Sequence, residues 1–176
     1  MFRERITMIS EIFRASSEVV FKAVDGATKE ELTWKPAPES RPIAEIAAHI
    51  IRVDLHFLKK MGYVPAFEAP KTGDEHALKS AVKKTEEYVL EILNGLSEDS
   101  ELMKPKPSEI APEHESLDHI LPHLSQHHLY HLAQIIYLRR ALDRKWKSPV
   151  EDWEKTTYII GSYLHPKATA ALRDVP

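Results

Sequence analysis

The chain has 176 residues, 43% of them hydrophobic and 29% charged, a length suited to one domain and a composition that buries a core and excludes wholesale disorder. A net charge of −3 leaves no basic excess to offset a phosphate backbone, so nucleic acid is not an expected partner. Cysteine is absent, which removes disulfides, thiolate-held zinc, iron–sulfur clusters and thiol catalysis by the protein's own side chains.

No run of about 18 uninterrupted apolar residues occurs, and charged residues break the N-terminal stretch MFRERITMISEIF. The expectation is a cytoplasmic chain without signal peptide, span or membrane partner. Five glycines and long stretches of Ala, Leu, Ile, Glu and Lys favour helices over an all-β fold. The predicted class is all-α.

Apolar residues at Phe2, Ile6, Ile9, Phe13, Val20 and Val24 predict a first helix over 2–24, closed by Asp25-Gly26. In the connector that follows, Thr28 and Glu31 can cap a short turn, while Pro36 and Pro38 favour extended backbone. Ser40 as N-cap with Pro42 in the first turn opens a second helix through residue 61, with Ile43, Ile46, Ile50, Val53 and Phe57 on one face and Gly62 and Pro65 as stops.

A third helix is predicted over 74–93 from Leu78, Val82, Thr85, Val89 and Ile92, ending at Asn94-Gly95. The polar stretch 97–115, with three prolines and no apolar periodicity, reads as a surface loop. The fourth helix, 116–144, carries Leu117, Leu121, Leu124, His128, His131, Ile135, Leu138 and Leu142 in steps of three and four. Pro122 should kink it or delay its start to Leu121. Pro149 opens a short fifth helix, followed by a loose tail. The expected organisation is a four-helix bundle with a metal site over 1–146 and an extension packed on it over 147–176.

Ten histidines are the unusual feature. Within HILPHLSQHHLYHLAQ, four-residue steps connect His119, His123, His127 and His131. Each such step turns about 40° from the starting direction and rises ~6 Å, so successive rings can face one point. Neutral imidazole is the commonest metal ligand, which makes a His-x3-His pair a plausible half-site. His49, in the middle of the second helix between Ile46 and Val53, is the best third ligand. His56 lies on the same stripe, and His128 with His131 offers an alternative pair. A zincin is disfavoured, because His128 stands where that motif places its glutamate base.

The segments TWKPAPESRPIAEIAAHIIRVD and HHLYHLAQIIYLRR resemble the DinB-like (YfiT-like) superfamily of four-helix metalloproteins. The likeness lies in a Trp/Pro connector that leads to a histidine on the second helix, and in a later His-x3-His-x2-Gln helix. It spans roughly 2–145, and Ala133 stands where family members often have Gly. The resemblance implies His49, His127 and His131 as ligands of a divalent ion (Zn, Ni, Mn or Fe), with Gln134 beside the last of them and His128 as a neighbour. It also implies a homodimer, and a small-molecule substrate together with a low-molecular-weight thiol such as bacillithiol or mycothiol.

On this reading the chain is a metal-dependent enzyme that activates thiol or water, a thiol S-transferase or a hydrolase, with Gln134 supporting a ligand. A non-catalytic metal-binding or stress-response bundle, with His56 or His128 closing the coordination, is the second expectation. A metal-free interaction protein is the third. Arg139 and Arg140 favour the helix dipole and solvent over an anionic substrate. Tyr130 and Tyr137 either line a pocket or face a partner copy, and the three tryptophans are expected to pack.

Overall fold

The computed structural model describes residues 3–71, 74–105 and 116–173, with side chains through residue 164. Among them are six α-helices: α1 (Glu4–Val24), α2 (Lys29–Thr33), α3 (Ile43–Lys60), α4 (Glu75–Gly95), α5 (Leu117–Leu142) and α6 (Val150–Arg173), with a 3₁₀ turn at Asp99–Glu101. The fold is all-α, but with six helices in place of the expected four and a short fifth. The surplus is α2, a five-residue helix closed by a full capping box between Thr28 and Glu31. The expected short fifth helix is α6, which runs 24 residues.

Helices α1, α3, α4 and α5 pack as a ring in which α1 and α3 each touch both α4 and α5. Two apolar clusters fix the directions. One collects the C-terminal half of α1 (Val19 to Val24), the N-terminal parts of α3 and α4, and Leu132 to Leu138 of α5. The other collects Ile6 to Phe13, the C-terminal ends of α3 and α4, and Leu117 to Leu124. Helices α1 and α5 therefore run one way, α3 and α4 the other, and the segment joining the parallel pair α3 and α4 must return along the bundle. Phe67 and Ala69 of that crossover pack on the first cluster, as do Trp34, Trp146 and Trp153.

Between the clusters lies a buried polar layer: Ser16 and Ser17 from α1, Asp54 from α3, Thr85 and Glu86 from α4, Ser125 and His128 from α5. Buried polar groups must find partners. Thr85 and Ser125 donate to the carbonyls of Ala81 and Leu121, and His128 bridges Ser16 and Asp54.

Helix starts differ from their sequence cues. Helix α1 has no side-chain cap of its own. Asp99 instead accepts from the N–H groups of Arg5 and Ile6, both at 3.0 Å, so the polar stretch after α4 caps a helix more than 90 residues upstream. Leu102, in the same stretch, is fully buried. The expected surface loop is thus partly built into the core over 97–105, and 106–115 lie outside the described residues. The N-cap of α3 is Pro42, not Ser40, and offers no side-chain bond. Helix α5 begins at Leu117 and runs unbroken through a buried Pro122. Gly62, at φ +86°, closes α3 with Tyr63 N–H donating to the Leu58 carbonyl.

Helix α6 packs on α1 and α5. Tyr163 donates to Asp118 of α5, and burial, reinforced by that carboxylate, pushes the phenol's pKa upward. No helix among the described residues is long and apolar enough to cross a membrane.

Candidate metal centre

The 3.6-residue period puts His127 and His131 one turn apart on α5. The contact between α3 and α5 then brings His49 against both. The ring centroids lie 5.3 Å (His49–His127), 4.8 Å (His49–His131) and 4.4 Å (His127–His131) apart, each pair edge to face. One nitrogen from each ring falls in a set whose members are all within 4.8 Å of one another, a spread that small ring rotations close towards metal–nitrogen bonds of ~2.0–2.1 Å. His131 is buried, and His49 and His127 are half-buried.

Electrostatics keep two of these rings, His127 and His49, available as ligands. Burial, then the neighbouring His131, His128, His49 and His123, pushes the His127 pKa down to about 4. Burial, then His131 and the cations of Arg41 and Arg52, lowers His49 against the opposing pull of Glu45. Neutral imidazoles keep the lone pair a cation needs. Nδ1 of His127 is buried with no hydrogen-bond partner among the described residues. A ring nitrogen withheld from water without a partner is costly, and a cation between the rings would give this imidazole the interaction it lacks. The donor set fits a divalent ion.

Gln134 holds the last of the three rings in place. Its Oε1 lies 2.8 Å from Nδ1 of His131, so Nδ1–H donates and Nε2 carries the lone pair. Tyr130 stands edge-on to the same ring, 4.9 Å away.

The other histidines lie elsewhere. His128 points into the interior, where Nε2 is 2.9 and 3.0 Å from the two oxygens of Asp54 and Nδ1 is 3.1 Å from Ser16 Oγ. Ser16 Oγ also donates to the Phe13 carbonyl at 3.0 Å. With both nitrogens engaged, His128 cannot close the metal site. His56 is exposed and stacks edge-on with Phe57, and it does not join the cluster either. His76, His119 and His123 are exposed, while His114 and the side chain of His165 lie outside the described residues.

The sequence reading missed Asp54. Its signal was a lone carboxylate in the apolar run IIRVDLHF. It also misplaced Arg139, which is buried: Nε lies 3.1 Å from Glu31 Oε1, a terminal nitrogen donates to the Ala23 and Asp25 carbonyls, and the guanidinium covers Trp146. The side chain thus caps the C-terminal end of α1 and faces neither solvent nor a substrate.

A cavity of about 930 Å³ opens beside the cluster, with His131 and Gln134 in its wall. No curated protein and no solved structure matched the chain in comparison. Residues 12–135, which include the three clustered histidines and Gln134, match the DinB superfamily. A match over most of the chain, on a helical bundle that gathers three histidines from two helices, places this protein in the DinB superfamily.

Proposed function

We propose that this protein is a metal-dependent enzyme in which His49, His127 and His131 hold one divalent cation, and that it works on a small molecule as a thiol S-transferase or a hydrolase. The observation that carries the reading is the set of three convergent imidazoles beside an open cavity. Such a cation supplies Lewis acidity, lowering the pKa of a thiol or water at a free coordination position.

The chain's own groups supply the rest. His127 and His49 stay unprotonated at neutral pH, so no proton competes for the site. Gln134 fixes the tautomer of His131. The side chains that sequence reasoning named to close the coordination are committed elsewhere, His128 to Asp54 and His56 to the surface, which favours a free position and hence turnover over storage. With no cysteine in the chain, any thiol must come from outside.

Metal content of protein purified without nickel resin tests the reading. About one equivalent is expected, lost in His127→Ala and kept in the exposed control His76→Ala. With cobalt bound, an added low-molecular-weight thiol should alter the visible spectrum. Metal content unchanged in His127→Ala overturns the ligand assignment, and a spectrum indifferent to thiol overturns thiol activation.

A further inference from the structure

The cavity beside His131 has a composition that narrows its occupant. Its walls are mostly carbon, from Ile46 of α3, Leu129, Ala133 and Leu138 of α5 and Trp153 of α6. Tyr130 and Tyr137, 65% and 70% exposed, form its outer rim. Arg41 is the one lining residue with a full charge, and the rest of the polar lining is Ser40, His131, Gln134 and Thr157. Leu138, Trp153 and Thr157 lie beyond the residues that match the family.

Arg41 supplies the positive charge of the lining. It sits just before α3 with its side chain more than half exposed, held only by a 3.4 Å approach of Nε to Glu45. That leaves the two terminal nitrogens to face a ligand, and a guanidinium edge matches a carboxylate with two parallel hydrogen bonds. Aromatic walls with one placed cation and a few polar groups select a molecule with an apolar body and a single anionic group. The volume, about 930 Å³, is at the upper end of the usual range for small-molecule sites.

We propose that this cavity binds a small amphipathic carboxylate, its apolar body against Leu129, Tyr137 and Trp153, its carboxylate on Arg41, and its opposite end at His131. The inference rests on the metal-centre reading only for what happens at that opposite end, and it names the substrate class for the same site.

The test uses metal-free protein, so that a carboxylate cannot bind through a cation. Binding of 4-phenylbutyrate and of its neutral amide is measured by calorimetry and tryptophan fluorescence. The carboxylate is expected to saturate one site and to bind more tightly than the amide. Arg41→Gln should weaken the carboxylate by about tenfold or more and leave the amide unchanged. Tyr137→Ser, on an exposed position whose folding is checked by circular dichroism, should weaken both alike.

Failure of the carboxylate to saturate, or its indifference to Arg41→Gln, overturns the proposal. So does sedimentation showing a dimer that Tyr137→Glu dissociates, because a second copy would then cover the rim. Zinc titrated into the same preparations separates the two readings. Zinc uptake without phenylbutyrate binding sinks the cavity inference alone, and the converse sinks the metal centre alone.

Discussion

Asp54 on α3 and His128 on α5 form a pair inside the bundle, both carboxylate oxygens within 3.0 Å of Nε2. Burial pushes the Asp54 carboxyl up, and the ring opposes that push. Removing one member of such a pair leaves the other buried without an answer, so Asp54→Leu and His128→Leu should each cost about 3–5 kcal/mol. The double replacement should cost clearly less than their sum. Urea unfolding of the three variants measures this, and simple additivity would show that the pair has no coupling.

Gln134→Ala should leave the bundle folded and the ion bound, but more weakly. The lost acceptor frees the His131 tautomer and orientation, a change that typically lowers metal affinity 10- to 100-fold. Competition against a chelator gives the number. An affinity equal to the parent's would reduce Gln134 to a packing residue.

Acid should destabilise the metal-free protein in a defined window. In the folded chain His127 is held down to about 4 from the usual 6.5, and His49 is shifted the same way. Between those values the unfolded chain binds more protons, so stability falls as pH drops from 6.5 towards 4 and is unaffected by these rings above 6.5. Carboxylates titrate in the lower part of this range, so the informative quantity is the difference between the parent and His127→Gln at pH of about 7.5, 6 and 4.5. The variant should show the shallower decline, and parallel curves would contradict a depressed His127.

Asp99→Ala should cost about 0.5–2 kcal/mol, the value of a helix N-cap, although Asp99 sits in a three-residue turn. Its carboxylate serves Arg5 and Ile6 of α1. Hydrogen exchange at those two amides should rise in the variant more than at Ala77, which Asp74 caps locally.

The four helices of the ring were legible because each buries one stripe, and a stripe leaves a 3.6-residue signature: Ile46, Ile50 and Leu78, Val82 and Val89 are buried where the period puts them. The Thr28–Glu31 cap was legible for a similar reason, being local. What could not be read was set by contacts distant in sequence. Nothing near Arg3 reveals that Asp99 will cap α1, and nothing near Leu102 reveals that it will be buried. His127 and His128 turn about 100° from each other on a helix, and the sequence reading sets them apart, naming His127 with His131 and His49 and leaving His128 a neighbour; what it could not supply was the partner of His128. One faces the three-histidine cluster and the other Asp54, a partner that the packing of α3 against α5 supplies.

That packing has a consequence for how a cation at the proposed site would come and go. The Asp54–His128 pair links the two helices that present the three imidazoles, and on the proposed reading little ordering would remain to be done when an ion binds. Unlike a zinc finger, whose apo form is unfolded, this bundle should surrender its ion to EDTA and reload it with unchanged far-ultraviolet circular dichroism. The cation would then be an exchangeable reagent rather than a structural rivet, and the identity of the ion in the cell would follow supply as much as affinity.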